Sequence, residues 1–412
     1  MSPLGSYRRL FALSGPWYLP VAFLGRLPLS MSQLGTLLLV STATGSYGSG
    51  GLAAGALAVS NAVGAPVAGA WADRVGQRPV VLVQSVLGAL GLVLLVVLST
   101  GEAGDGAVVA AAALAGLMLP QVGPLARVRW RPVTDGTGPH QRQLMDAAFS
   151  YEGAADEASF VLGPALVGVV ALLVDPAGAM LTAAGMLAVF GTAFALHPTA
   201  ALTGAGYRVH ARGRLVTGLL LGLLLAQFFV GVLFGSTQTG TTALAEDAGA
   251  PGLAGLVHAL LGVGSVIAGL ATVYLPARVG QHRRVLASAA FLVVLSAPLL
   301  LVDDLAGLIV VVLLLGFGVA PYMIGVFTLG ERAVPPGRVG ATMTLLAGAT
   351  GVGYAAGSGI AGRLADLQGH TAAFAVTCAA MLGASALALV AQRQWGTVEA
   401  RAERPAGVTA AR

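Results

Sequence analysis

The chain has 412 residues, 56% hydrophobic and only 9% charged, with a mean hydropathy of +0.85; soluble globular domains carry about 25% charged residues. This composition suits a bilayer, whose hydrocarbon core takes about 20 apolar helical residues per crossing, and it excludes a large extramembrane domain. The net charge is +5 and all 22 basic residues are arginine. They lie singly or in twos and threes between apolar stretches, as topology anchors do, so the charge does not point to nucleic acid.

The apolar stretches run for about twenty residues, too long for the two-residue alternation of a barrel strand, so the spans are helices. Arg8 and Arg9 open the chain, but the run after them exceeds a signal peptide's apolar core, and it is read as a retained first helix. Spans are expected at about residues 14–41, 48–72, 79–99, 106–126, 150–174, 178–197, 214–240, 251–275, 284–302, 305–330, 340–362 and 371–392. With the N-terminus inside, the inner loops hold Arg74 and Arg78, then Arg127, Arg129, Arg131 and Arg142, then Arg208, Arg212 and Arg214, and the second half repeats this with Arg278, Arg283, Arg284, Arg332, Arg338 and Arg393. The outer loops are acidic, with Arg363 as the lone basic residue near that face. Twelve spans satisfy the positive-inside rule in both halves, and an odd number would not. The expected localisation is a multi-pass protein of the plasma (inner) membrane with both termini cytoplasmic.

Arg74-Val75-Gly76-Gln77 recurs as Arg278-Val279-Gly280-Gln281 near the midpoint spacing of the chain. Two parallel six-helix repeats follow, an architecture that places a substrate near midplane at the repeat interface. The domains expected are an N-terminal bundle over 1–198, a cytoplasmic linker over 199–213, and a C-terminal bundle with a short tail over 214–412.

Gly69-Ala70-Trp71-Ala72-Asp73-Arg74-Val75-Gly76-Gln77-Arg78 resembles motif A of the major facilitator superfamily (MFS), matching it at Gly69, Asp73, Arg74, Gly76 and Arg78 and departing at Trp71 and Gln77. The resemblance implies the MFS fold over essentially the whole chain, all-α with twelve transmembrane helices. It also implies that Asp73 faces the start of span eleven near Arg338, as a latch holding the halves together in the outward-facing state. A carboxylate suits free N–H groups at a helix start; the plainer alternative is a topology anchor. Gly163-Pro164 and Gly168 in span five are similar to motif C, a helix-interface element of the drug–proton antiporter branch. That branch's basic residue deep in span four is missing, and the arginines there are expected at the cytoplasmic end.

Arg26 falls near midplane, where an ionisable group marks function or a partner. Glu152, Asp156 and Glu157 on span five are its candidate partners. Glu152 and Asp156 share a helix face and Glu157 is turned by about 100°, so one can pair with Arg26 while another faces a cavity. Arg26, Asp156, Glu157 and His258 are the proton-coupling candidates; a fixed ion pair stapling spans one and five is the alternative, as is a packed histidine for His258. Glu152 fits better in an interface with Arg127 or Arg129. Gln33, Gln121, Gln227, Gln238 and Tyr322 could line a cavity or act as packing glue. Cys378 is the only cysteine, so no intramolecular disulfide or cysteine metal site forms; no metal and no cofactor are expected.

The sequence holds no P-loop, His-Glu-x-x-His or Gly-x-Ser-x-Gly motif, so no enzyme is expected. The expectation is a secondary active transporter of a small organic molecule by alternating access, exporting it in exchange for protons. The alternatives are a facilitative or proton-coupled importer, and a non-transporting receptor or assembly factor on the same fold. The partners are a small-molecule substrate, protons and membrane lipid, with no nucleic acid and no obligate protein partner.

Overall fold

The computed structural model describes residues 3–44, 47–101, 103–203, 217–250, 253–276, 278–335 and 338–402. Among them every regular element is helical, and twelve segments are long and apolar enough to cross a bilayer. In the first half these spans are Tyr18–Thr44, Leu52–Val75, Gln77–Thr100, Asp105–Thr134, Gly138–Leu173 and Pro176–Leu196. In the second they are Gly218–Ala245, Ala254–Tyr274, Gln281–Leu301, Leu305–Ala333, Val339–Ala365 and His370–Glu399.

Several elements differ from the sequence expectation. Pro3–Ser14 is a helix of its own, closed by Gly15 at φ +84°. Span one is two helices, Tyr18–Leu24 and Leu27–Thr44, that meet at Gly25 and Arg26. Span four does not end near residue 126. Pro120 has no N–H to continue the ladder, so the helix Asp105–Met118 stops and a second helix, Val122–Thr134, carries on. Arg127 and Arg129, expected as exposed loop anchors, therefore lie inside that second helix at 1% and 0% exposure. Span six contains a π-helical stretch, Leu187–Gly191. Most of the expected linker over 199–213 lies outside the described residues, which resume at 217.

The chain forms two units. The first comprises Met1–Ala148, Ala155–His210 and Pro336–Gly348; the second comprises Phe149–Ala154, Ala211–Pro335 and Ala349–Arg412. The two short exchanged segments depart from a plain division into sequence halves, and each has a visible tether. Asp73 holds the start of span eleven in the first unit. In the second, Ser150 Oγ lies 2.5 Å from Thr272 Oγ1, and a Cβ at Gly153 would meet the Ile324 side chain at 2.6 Å.

Lipid supplies no hydrophobic drive between helices, so small residues that permit close backbone contact organise the packing. In the first unit Leu27, Met31, Leu57, Leu92, Ala112 and Met180 belong to one buried cluster. Spans two and four meet there through a reciprocal pair: a Cβ at Gly116 would lie 2.1 Å from the Leu57 carbonyl oxygen, and one at Gly64 2.9 Å from that of Leu117. The second unit repeats the device with Gly316 against Leu261 and Gly264 against Leu313, both at 2.1–2.2 Å. A mirrored pair of tyrosines adds to it. Tyr18 Oη donates to the Ala126 carbonyl at 3.3 Å, and Tyr322 Oη to the Ala226 carbonyl at 3.1 Å.

Candidate functional site

The break in span one places Arg26 on a turn between two helices, buried at 5% exposure. Its Nε lies 3.1 Å from Asp156 Oδ1 on span five. The other oxygen, Oδ2, is 2.7 Å from Arg127 Nη1 on the second helix of span four. One carboxylate is thus clamped between two guanidinium groups from different spans. The site depends on Gly123, where a Cβ would sit 2.4 Å from Asp156 Oδ1 and 3.2 Å from Arg26 Nε. Gly123 and Arg127 are four residues apart and share a helix face, so that face both makes room for the carboxylate and supplies one of its cations. Glu157 is buried beside this cluster at 4% exposure, and Glu152, in the second unit, is buried at 0%.

Burying a guanidinium without partners is expensive, and the chain solves this in two ways. Arg127 faces an acid. Arg129, two residues on, donates from Nε to Gln77 Oε1 at 2.8 Å, and from Nη1 to the Phe194 carbonyl at 2.9 Å and Thr199 Oγ1 at 3.1 Å. Its guanidinium carbon lies 3.5 Å from the centre of the Phe194 ring, a cation–π geometry. Gln77 in turn donates to the Leu125 carbonyl at 3.0 Å. Arg129 therefore ties spans three and four to the end of span six.

The motif A residues close a second site. Helix Tyr47–Val75 ends and helix Gln77–Thr100 begins at Gly76, whose φ of +93° excludes a side chain at low cost. The Asp73 carboxylate accepts the N–H groups of Gly340 at 3.0 Å and Ala341 at 2.9 Å, at the start of the helix Val339–Gln368. These are free donors of a first turn, two and three residues beyond Arg338. Gly69 and Gly340 let the helices approach: a Cβ at Gly69 would lie 2.9 Å from the Gly340 carbonyl oxygen. Arg74 and Arg78 are exposed. The second unit has its own capped helix start. Glu399 Oε1 accepts the Gln281 N–H at 2.6 Å and lies 3.1 Å from Arg332 Nη1, while Oε2 pairs with His282 Nδ1.

The remaining sequence candidates scatter. Gly163 packs on span one, where its Cβ would be 2.1 Å from Ser30 Oγ. Gly168 is exposed with nothing within 4 Å, which corrects its expected place at a helix interface; Pro164 between them is partly exposed. Gln121 donates to Asn61 Oδ1 at 2.7 Å, so it serves packing. Gln227 and Tyr322 are fully buried in the second unit, which removes both from an open cavity wall. Gln33 is exposed, and exposed Gln238 accepts a 2.6 Å hydrogen bond from Tyr354 Oη. His258 belongs to the second unit, and its Nδ1 is buried without a hydrogen-bond partner. Among the described residues no group of three or more His, Cys, Asp or Glu could hold a metal ion.

Sequence reasoning missed Asn61, Glu399 and the buried roles of Arg127 and Arg129. Pro120, seven residues before Arg127, was the available signal, because a proline inside a span moves the helix that follows it.

A family model described as Major Facilitator Superfamily matches residues 19–345 and, again, 223–409. No curated protein matches the sequence. Among solved structures the chain is similar to the human organic anion transporter MFSD10 (TETRAN), at 22% identity and a TM-score of 0.71, covering 90% of this chain and 98% of that one. It is also similar to a bacterial homologue of the iron transporter ferroportin in an outward-facing state, at 15% identity and a TM-score of 0.72, covering 92% and 98%. FucP, a Major Facilitator Superfamily transporter in the outward conformation, matches at 14% identity and a TM-score of 0.62, covering 93% and 99%.

Proposed function

The chain belongs to the major facilitator superfamily, whose fold serves secondary transport of small solutes, and from that premise we propose that it exports a small organic molecule in exchange for protons by alternating access. The observation that carries this reading is the Asp156 carboxylate held between Arg26 and Arg127. Ionisable groups within transmembrane helices are costly and mark ion pathways and proton relays. A carboxylate bound by two cations from two other spans is a coupling element: deprotonated, it draws spans one, four and five together; protonated, it loses its charge and releases both guanidinium groups. Glu157 is the adjacent acid that can share the proton or answer the freed Arg127.

Asp73 supplies the companion element. Its two hydrogen bonds to the start of span eleven join a helix of one sequence repeat to a helix of the other. Such a cap is worth about 0.5–2 kcal/mol, strong enough to favour one state and weak enough to break in each cycle. In this reading both termini are cytoplasmic and the membrane is the plasma (inner) membrane.

Susceptibility and export profiling of cells with and without the gene against a compound panel names the cargo. Flux of that cargo into proteoliposomes under an imposed pH gradient then tests the coupling. Asp156→Asn and Glu157→Gln are each expected to abolish pH-driven flux in protein that still folds. Unchanged flux in both would remove the proton role from this cluster.

A further inference from the structure

The break in span four weakens the backbone bonding of two carbonyls: Gly116 O takes the Leu119 N–H at 3.3 Å in place of a regular helical bond, and Leu119 O lies at the break itself. Pro120 cannot donate to Gly116, four residues earlier, and the carbonyl of Leu119 stands at the end of the first helix. One side chain from span two serves both: Asn61 Nδ2 donates to Gly116 O and to Leu119 O, each at 2.9 Å. Its Oδ1 accepts from Gln121 Nε2, on the far side of the break, at 2.7 Å. Every polar atom of this buried amide, 7% exposed, is spent on the joint.

The segments on either side are fixed independently. Above the joint, Gly116 and Gly64 press helix Asp105–Met118 onto span two, flanking Asn61 on the same face. Below it, Arg129 and Gln77 lock helix Val122–Thr134 to spans three and six. The angle between the segments is therefore decided at residues 119–121. It sets whether Gly123 and Arg127 point at Asp156, because each residue gained or lost turns a helix by about 100°.

We propose that Asn61 is a positioning residue for coupling: it holds the proline break in span four open at the one register that brings Arg127 onto Asp156, without touching either group. This rests on the reading of Asp156 as the coupling carboxylate. Among the described residues, the charged groups around Asp156 include Arg26 from span one, Arg127 from span four and Glu157 on its own helix.

Trp130 reports on the lower segment, fully buried and edge-on to Tyr18 with ring centres 5.2 Å apart. In the purified full-length protein with Trp17, Trp71 and Trp395 replaced by Phe, its emission is titrated across pH. The parent is expected to show a transition that Asp156→Asn removes. Asn61→Leu, of the same size but without hydrogen bonds, is expected to move the midpoint by about one pH unit, a tenfold change in proton affinity, and Asn61→Gln to recover part of it. Pro120→Ala, which restores the missing N–H and favours a continuous helix, is expected to move it as well, and decides the matter if Asn61→Leu does not fold. A transition surviving Asp156→Asn would overturn the coupling reading itself. A transition lost in Asp156→Asn but unmoved in Asn61→Leu and Pro120→Ala would leave that reading intact and overturn the role of Asn61.

Discussion

His197 shows how one buried charge conditions its neighbours. It follows span six, beside Arg129, and its ring packs on Tyr18 with centres 5.3 Å apart. Nδ1 accepts the Thr199 N–H at 3.3 Å, which fixes the neutral tautomer with the proton on Nε2. Burial first, and then the charge of Arg129, hold this imidazole below its usual value of 6.5. The folded protein thus refuses a proton that the unfolded chain accepts. The stabilisation is complete above about pH 6.5 and is lost as the pH falls below it. The thermal midpoint of the wild type should therefore drop further between neutral and mildly acidic pH than that of His197→Gln, measured side by side in detergent; equal drops would contradict this.

At the scale of elements, the helices are placed by what they lack. Proline removes a donor in span four and a tight turn interrupts span one, and these two breaks bring Arg26 and Arg127 to the same carboxylate. Glycine removes a side chain where spans two and four, and again eight and ten, touch backbone to backbone. A methyl at Gly116 or Gly316 would meet a carbonyl oxygen at 2.1 Å, and backbone on both sides leaves little room to yield. Gly116→Ala and Gly316→Ala should each destabilise by about 1–3 kcal/mol, seen as lower thermal midpoints. Gly55→Ala, where a Cβ meets nothing within 4 Å, should leave the midpoint unchanged or raised.

The whole molecule repeats itself in packing. The Gly64/Leu117 and Gly116/Leu57 contacts return as Gly264/Leu313 and Gly316/Leu261. The helix-start caps differ instructively. Glu399 closes its helix within the second unit, whereas Asp73 reaches a helix of the other sequence repeat. Twelve crossings are an even number, so both tails should lie on one side of the membrane. Protease sites placed at each end should be cut together in vesicles of one orientation and protected together in the other; opposite protection would refute the topology.

Composition and apolar runs pointed to what the bilayer enforces, helices and their number, and made Arg26 stand out as a charge amid apolar residues; the repeated tetrapeptide pointed to the duplication, the resemblance to motif A singled out Asp73, and Asp156 was one of three candidate acids. Composition and apolar runs also suggested wrongly that Arg127 and Arg129 are loop anchors, since a loop arginine and a buried one are spelled alike. Tertiary structure alone decided which acid Arg26 meets, that Gln121 bonds to Asn61, and that Gly168 packs on nothing. The reason is physical. Burial of a helix in lipid depends on its own residues, whereas the partner of a polar group depends on the rotation of each helix about its axis, which breaks at Arg26 and Pro120 reset and which only contact with neighbouring helices fixes.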